Sequence, residues 1–237
     1  MKENNWFDPF YIQSHLNEEE SNIQKNVRDF CNNELKPTVV ERNRKNEFDQ
    51  SLYPKFGSLG VLGQTVKTHG GSGTSNLAYG LVAYEFEKID SSYRSSISVQ
   101  SSLVIHPINE FGSQEQKDKY LPQLIKGEKI GCFGLTESEA GSDPTSMKTS
   151  FKKTKDGYII NGSKNWITNA PIADIFIIWA IEENKDHKSI KGFIIEKNTE
   201  GLNTSTIENK TSLKISPTGQ IILNNVFVPN NLSLIHI

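Results

Sequence analysis

Near residue 130 the apolar residues of this 237-residue chain change their spacing. Before that point they recur at helical intervals. Ile23, Val27, Phe30 and Cys31 form one stripe, and Leu77, Leu81, Tyr84 and Ile89 mark a second, largely buried helix. After it they fall into short runs divided by turn residues such as Asp156-Gly157 and Asn161-Gly162. This order predicts an α+β chain. An all-helical domain over 1–129 is followed by a small antiparallel β-barrel or sandwich over 130–230, with the boundary near Lys126 to Lys129.

Individual elements follow from local chemistry. Asn17 with Glu20 three residues on is a capping box at the head of the first helix, which Pro37 ends or kinks. A short helix over Leu52 to Leu59 precedes turns at Gly60 and Gly63. A Gly-rich loop covers His69 to Thr74, and an apolar helix runs from about Ser92 to Phe111. Ser113 caps an amphipathic helix ending near Gly127. Strands are expected at Phe151 to Lys155, Tyr158 to Ile160, Ile175 to Ile181, Gly192 to Glu196 and Gln220 to Val228.

The composition excludes several classes of function. A formal net charge of -2 gives no field for nucleic acid or an anionic membrane. Two cysteines, Cys31 and Cys132, make no disulfide framework, and the five scattered histidines make no metal cluster. No apolar run approaches the roughly 18 residues of a membrane span. Met1 to Asn17 lacks the basic start and apolar centre of a signal peptide and the arginines of a transit peptide, so a cytoplasmic location is expected.

The chemistry concentrates in three segments: Gly131-Cys132-Phe133-Gly134-Leu135-Thr136-Glu137, Gly141-Ser142-Asp143-Pro144, and Asn161-Gly162-Ser163-Lys164-Asn165-Trp166-Ile167-Thr168-Asn169. In an extended strand, residues i and i+2 share a face, so Trp166 and Thr168 offer a flat aromatic surface beside a hydroxyl. Thr136 offers a second hydroxyl where its strand ends. Amides of a small-residue loop such as Gly141-Ser142 donate well to phosphate. Together they suit a planar heterocycle with a phosphate tail. Arg94 is one of only four arginines and the only one after residue 44. It lies on a Ser-rich helix with Ser98 four residues on, an arrangement fit for a carboxylate.

These segments resemble the flavin-binding middle domain of the acyl-CoA dehydrogenases. Tyr93-Arg94-Ser95-Ser96-Ile97-Ser98-Val99-Gln100-Ser101-Ser102-Leu103-Val104 and Tyr120-Leu121-Pro122-Gln123-Leu124 resemble the glutaryl-CoA dehydrogenase branch. The resemblance covers about residues 5–230. It implies FAD held by Phe133, Leu135, Thr136, Gly141, Ser142, Trp166, Ile167 and Thr168, with Thr168 near the hydride-accepting N5. It implies an acyl-CoA thioester bound by Arg94, Ser95, Ser98 and Ser142, with Arg94 on the far carboxylate of a glutaryl group. The implied reaction is oxidation and decarboxylation of glutaryl-CoA to crotonyl-CoA, as in lysine and tryptophan degradation. The implied partners are an electron-transferring flavoprotein and three further copies in a homotetramer.

The family's catalytic glutamate belongs to a C-terminal helical domain, and no residue of this chain takes that role. The segment 231–237 does not match the family and reads as the mark of a truncation, which makes the chain alone inactive. Two other readings stay open: another acyl-CoA dehydrogenase or an acyl-CoA oxidase, and a non-catalytic truncated binding module. Glu137 and Glu139 read as solvated or turn-bonded loop residues, Lys152 to Lys155 as an exposed strand, and Cys132 as a small strand residue without reactivity.

Overall fold

The computed structural model describes residue 8, residues 10–183 and residues 189–236. The first helix, α1 (Glu18–Phe30), begins at the expected box: Glu20 N–H donates to Asn17 Oδ1 at 2.8 Å, and Asn17 N–H donates to the Glu20 carboxylate at 3.2 Å. It then widens into a π turn over Cys31–Leu35, so Pro37 falls just beyond the helix. Next come α2 (Val39–Lys45), α3 (Leu52–Ser58) and α4 (Asn76–Glu87). The apolar segment after Asp90 is helical throughout. α5 (Ser91–Ser98) passes through a second π turn, Val99–Ile105, into α6 (His106–Phe111). A capping box of Ser113 and Gln116 starts α7 (Gln114–Ile125).

The buried face of α4 differs from the expected stripe. Leu77 and Tyr84 are about half exposed, whereas Ala78, Leu81, Val82, Glu85 and Phe86 are buried. The Glu85 carboxylate accepts from Gln24 (2.9 Å) and Arg28 (2.8 Å) of α1, so the buried charge is paired.

The remaining elements are strands β1 (Gly131–Gly134), β2 (Ser150–Lys153), β3 (Gly157–Thr168), β4 (Ile175–Glu182), β5 (Ile190–Glu196), β6 (Leu202–Thr206), β7 (Thr218–Pro229) and β8 (Ser233–His236). They form one sheet in the order β6-β7-β3-β2-β4-β5-β8, with β1 added to β4. A helical half followed by a sheet is the expected order, and two features of the expected antiparallel barrel or sandwich are corrected. The sheet is open, since β6 and β8 end it without pairing to each other. It is also mixed, because β1 and β2 both run parallel to β4 while the other pairs are antiparallel. β1 and β2 therefore run the same way, and residues 135–149 return the chain between them. Within the stretch unmatched in the sequence reading, Ser233–His236 form β8 against β5.

Asn161-Gly162 is not a turn. β3 continues through it with a register shift between Ile160 and Gly162. Gly162 absorbs that bulge at φ 143, and a Cβ there would lie 2.6 Å from Thr149 Cα. Asn161 secures the bulge by accepting from Asn225 N–H at 2.7 Å.

β4 and β5 are buried on both faces. Ile175, Ile177 and Ile194 join the core of the helical half, while Phe176, Ile178, Phe193 and Ile195 join a second core with Ile160 of β3 and Ile221 of β7. Gln100, fully buried on the π turn, clasps the two halves. Its amide donates to the carbonyls of Leu124 and Lys129, both at 2.9 Å, and accepts from Gly131 N–H at 2.7 Å. Gly131 must lack a side chain, since a Cβ would sit 2.5 Å from Val104. Among the described residues no helix is long and apolar enough to cross a membrane, and no group of His, Cys, Asp and Glu could hold a metal ion.

Candidate functional site

The structure brings the first and third signature segments together. Beyond Gly134 the chain leaves β1 and runs beside β3. Lys164 Nζ donates to Leu135 O at 3.0 Å, and Asn165 N–H donates to Thr136 O at 2.9 Å. The Asn165 side chain adds two bonds, donating to Ser138 Oγ at 3.3 Å and accepting from Trp166 N–H at 3.1 Å.

Trp166 stands out on this ledge. Its φ is +61°, and its side chain is 59% exposed. A bulky residue in the left-handed region costs on the order of 1–3 kcal/mol, and an exposed indole recovers none of that by burial. Here β3 shifts register again, between Lys164 and Ile167. Trp166 is exposed and Thr168 half-buried, and a bulge stands between Lys164 and Ile167 in place of the regular extended strand that their spacing implied. Ile167 between them turns into the second core and leaves only its backbone to the ledge.

The other predicted positions vary in exposure. Phe133 is half-buried and packs edge-on to Trp179 at 5.9 Å, while Leu135 packs on Met147 and Ala140. Thr136 is half-buried. Gly141 and Ser142 are exposed, and among the described residues their backbone amides find no acceptor. Cys132 is fully buried, and burial pushes its thiol well above the ordinary range.

These features fit a flavin dinucleotide: a projecting aromatic plane, hydroxyls at Thr136 and Thr168, and open amides at Gly141 and Ser142. Gly134 makes room on the core side, where a Cβ would lie 2.6 Å from Ile178 Cδ1 and 3.3 Å from Lys164 Cγ.

Arg94, Ser95 and Ser98 form a separate group on α5, and no hydrogen bond joins it to the ledge among the described residues. Arg94 Nε donates to Glu87 Oε2 at 2.8 Å, with 37% and 44% of the two side chains exposed. Ser91 donates to the other carboxylate oxygen. The Arg94 bond, then the Ser91 bond, hold the Glu87 carboxyl below its ordinary range. A guanidinium has five donors, and this pair uses one. Ser98 is half-buried; its Oγ lies 3.4 Å from Tyr79 OH, which also meets Ser102 Oγ at 2.7 Å.

Sequence reasoning missed one pair. Glu137 is not solvated: it is 9% exposed and meets the fully buried Lys164 at 2.8 Å. Burial pushes the Glu137 carboxyl up, but hydrogen bonds from Lys164, Thr149 and Lys148 outweigh it and hold the group below its usual range. Burial pulls the Lys164 ammonium down, against the pull of Glu137. A signal was present, since Ile160, Gly162 and Lys164 share one strand face and an inward lysine requires an acid. Glu139 does stay on the surface, paired with Lys148.

Comparison with known proteins identifies the family of both halves. The acyl-CoA dehydrogenase N-terminal domain matches residues 17–128, and the acyl-CoA dehydrogenase middle domain matches residues 132–226. A short-chain-specific acyl-CoA dehydrogenase of Clostridium acetobutylicum is 38% identical over 216 residues, which are 90% of this chain and 57% of that protein. The crystal structure of a glutaryl-CoA dehydrogenase from Mycobacterium smegmatis in complex with FADH2 superposes with a TM-score of 0.92 at 38% identity, covering 96% of this chain and 58% of that one. Butyryl-CoA dehydrogenase from Megasphaera elsdenii superposes at 0.87 with 36% identity, covering 92% and 59%. The chain thus spans less than two thirds of the length of these relatives. It carries the N-terminal and middle domains of that architecture, and it belongs to the acyl-CoA dehydrogenase family.

Proposed function

We propose that the whole protein is an FAD-dependent acyl-CoA dehydrogenase that oxidises and decarboxylates glutaryl-CoA to crotonyl-CoA. The observation that carries the cofactor reading is Trp166, an exposed indole held in a strained backbone beside Thr136. FAD, when bound, supplies the hydride acceptor. Trp166 lies against its ring, the Thr136 and Thr168 hydroxyls meet polar ring atoms, and Ser142 with the neighbouring amides meets phosphate oxygens. In this reading residues 1–129 and 130–230 are the two domains that flank the ligands. Electrons pass on to an electron-transferring flavoprotein, and the assembly is a homotetramer.

The substrate reading rests on Arg94. A cation with adjacent hydroxyls at Ser95 and Ser98 has a use when the acyl chain ends in a carboxylate, and none when it ends in a methyl group. Glu87 orients the guanidinium and leaves its other donors to the substrate. None of these 237 residues is assigned as the base that removes the α-proton.

A second reading is favoured by the same ion pair. If Glu87 fully neutralises Arg94, the site takes an apolar acyl chain, and the Clostridium relative is named as short-chain specific. Turnover of glutaryl-CoA against butyryl-CoA by the full-length protein separates the two readings. Preferred turnover of butyryl-CoA would select the second.

A further inference from the structure

The buried pair of Glu137 and Lys164 touches neither ligand in the reading above. Its bonds nevertheless converge on the backbone of the ledge. Lys164 leaves β3 two residues before Trp166. Its ammonium donates to Glu137 Oε1 at 2.8 Å and to Leu135 O at 3.0 Å, with Met147 Sδ at 3.9 Å. Glu137 Oε1 also accepts from Thr149 N–H at 2.9 Å, and Oε2 accepts from Lys148 N–H at 2.7 Å. Three chain segments are thereby tied at one point: the exit of β1, the entry to β2 and the middle of β3.

The direction of one peptide group follows from this. All peptide bonds among the described residues are trans, and in a trans peptide the carbonyl and the N–H point opposite ways. The Leu135 carbonyl points inward at Lys164, so the Thr136 N–H of the same peptide points outward. Among the described residues that N–H has no acceptor. The Thr136 carbonyl is fixed separately by Asn165 N–H, next to Trp166. A well-packed apolar pair would hold the loop to β3 at no loss of stability, because burying two charges gains little net free energy. An apolar pair could not aim a carbonyl.

We propose that Lys164, clamped by Glu137, is a positioning residue that orients the Leu135–Thr136 peptide so that the Thr136 N–H faces the flavin ring beside Trp166. This rests on the FAD reading of the ledge. Its test is arranged so that the two can fail separately.

The full-length protein is made as wild type, as Glu137→Gln/Lys164→Met and as Glu137→Asp, each labelled with 5-fluorotryptophan and stripped of FAD. The Trp166 resonance is assigned with Trp166→Phe. The double variant exchanges the ion pair for a neutral pair of similar volume, so its cooperative melting is expected to persist. Its Kd for FAD should nevertheless rise at least about tenfold, and its Trp166 fluorine resonance should shift or broaden before any FAD is added. Glu137→Asp keeps both charges but shortens the clamp, and should show the same changes to a smaller degree.

A double variant that folds with unchanged FAD affinity and an unchanged Trp166 resonance overturns the proposal. So does a loss of affinity in Glu137→Asp that merely follows its loss of thermal stability. If the wild type takes up no FAD, the cofactor reading fails, while the fluorine resonance of the FAD-free variants still decides whether the pair positions the ledge. If the double variant does not fold, Glu137→Asp decides by the same two readouts.

Discussion

Asn165 donates its backbone N–H to the Thr136 carbonyl at 2.9 Å, while its side chain accepts the N–H of Trp166. One residue thereby couples the loop after β1 to the strained tryptophan on β3. Two segments separated by some thirty residues of sequence become a single surface, and the account of this protein as a flavoenzyme depends on that coupling.

Trp166→Gly tests whether the strain serves binding. Glycine adopts φ near +61° freely, so removing the indole should leave thermal stability unchanged or raised by about 1 kcal/mol. FAD retention should fall, and the visible flavin spectrum should change. A variant that loses stability while keeping full flavin content would contradict the assignment of Trp166 to the cofactor.

Gln100 holds the seam. Gln100→Leu strands Gly131 N–H and the carbonyls of Leu124 and Lys129 in a buried position. At about 1–3 kcal/mol per unmade bond, partly relieved by relaxation, the loss should reach about 3 kcal/mol. In a chain of this size that lowers Tm by roughly 6–12 °C. Calorimetry of the purified chain gives the value, and a shift under about 2 °C would mean that water or a neighbouring group replaces the clasp.

Glu137 predicts a pH dependence of stability. Its folded pKa is depressed, so its contribution is present above the ordinary carboxylate value of 4.5 and is lost as pH falls from there through the folded value. Denaturant titrations of wild type and Glu137→Gln should therefore differ at neutral pH and converge in acid. A difference that stays constant down the acid range would show that the carboxyl is not held below its usual pKa.

The helical half was largely legible because its signals are local. The box at Asn17 and Glu20, the cap at Ser113 and the turns at Gly60 and Gly63 depend on residues a few positions apart. The aromatic and hydroxyl residues of the ledge were singled out by resemblance. The open edge between β6 and β8, the parallel pairing of β1 with β4 and the burial of Glu137 were not, because each depends on partners far along the chain. The i, i+2 spacing of Trp166 and Thr168 could not show the local backbone. It assumed a regular strand, where the backbone carries a bulge and a left-handed tryptophan.

Residues 1–237 alone, supplied with FAD, should show no turnover of any acyl-CoA with a dye acceptor, since no residue among them is assigned as the base. Measurable dye reduction would mean that a base lies within this stretch.

The substrate claim stands on Arg94, and the most direct test compares Arg94→Gln with wild type in the full-length protein. Loss of a desolvated charge pair with the distal carboxylate should cost about 2–5 kcal/mol, or roughly 30- to several-thousand-fold in kcat/KM for glutaryl-CoA. Ser95→Ala and Ser98→Ala should cost about 1 kcal/mol each. Butyryl-CoA has no distal carboxylate, so its kcat/KM should change little or rise. Equal losses for the two substrates would show that Arg94 serves the fold through Glu87, and the glutaryl-CoA assignment would give way to a short-chain acyl-CoA.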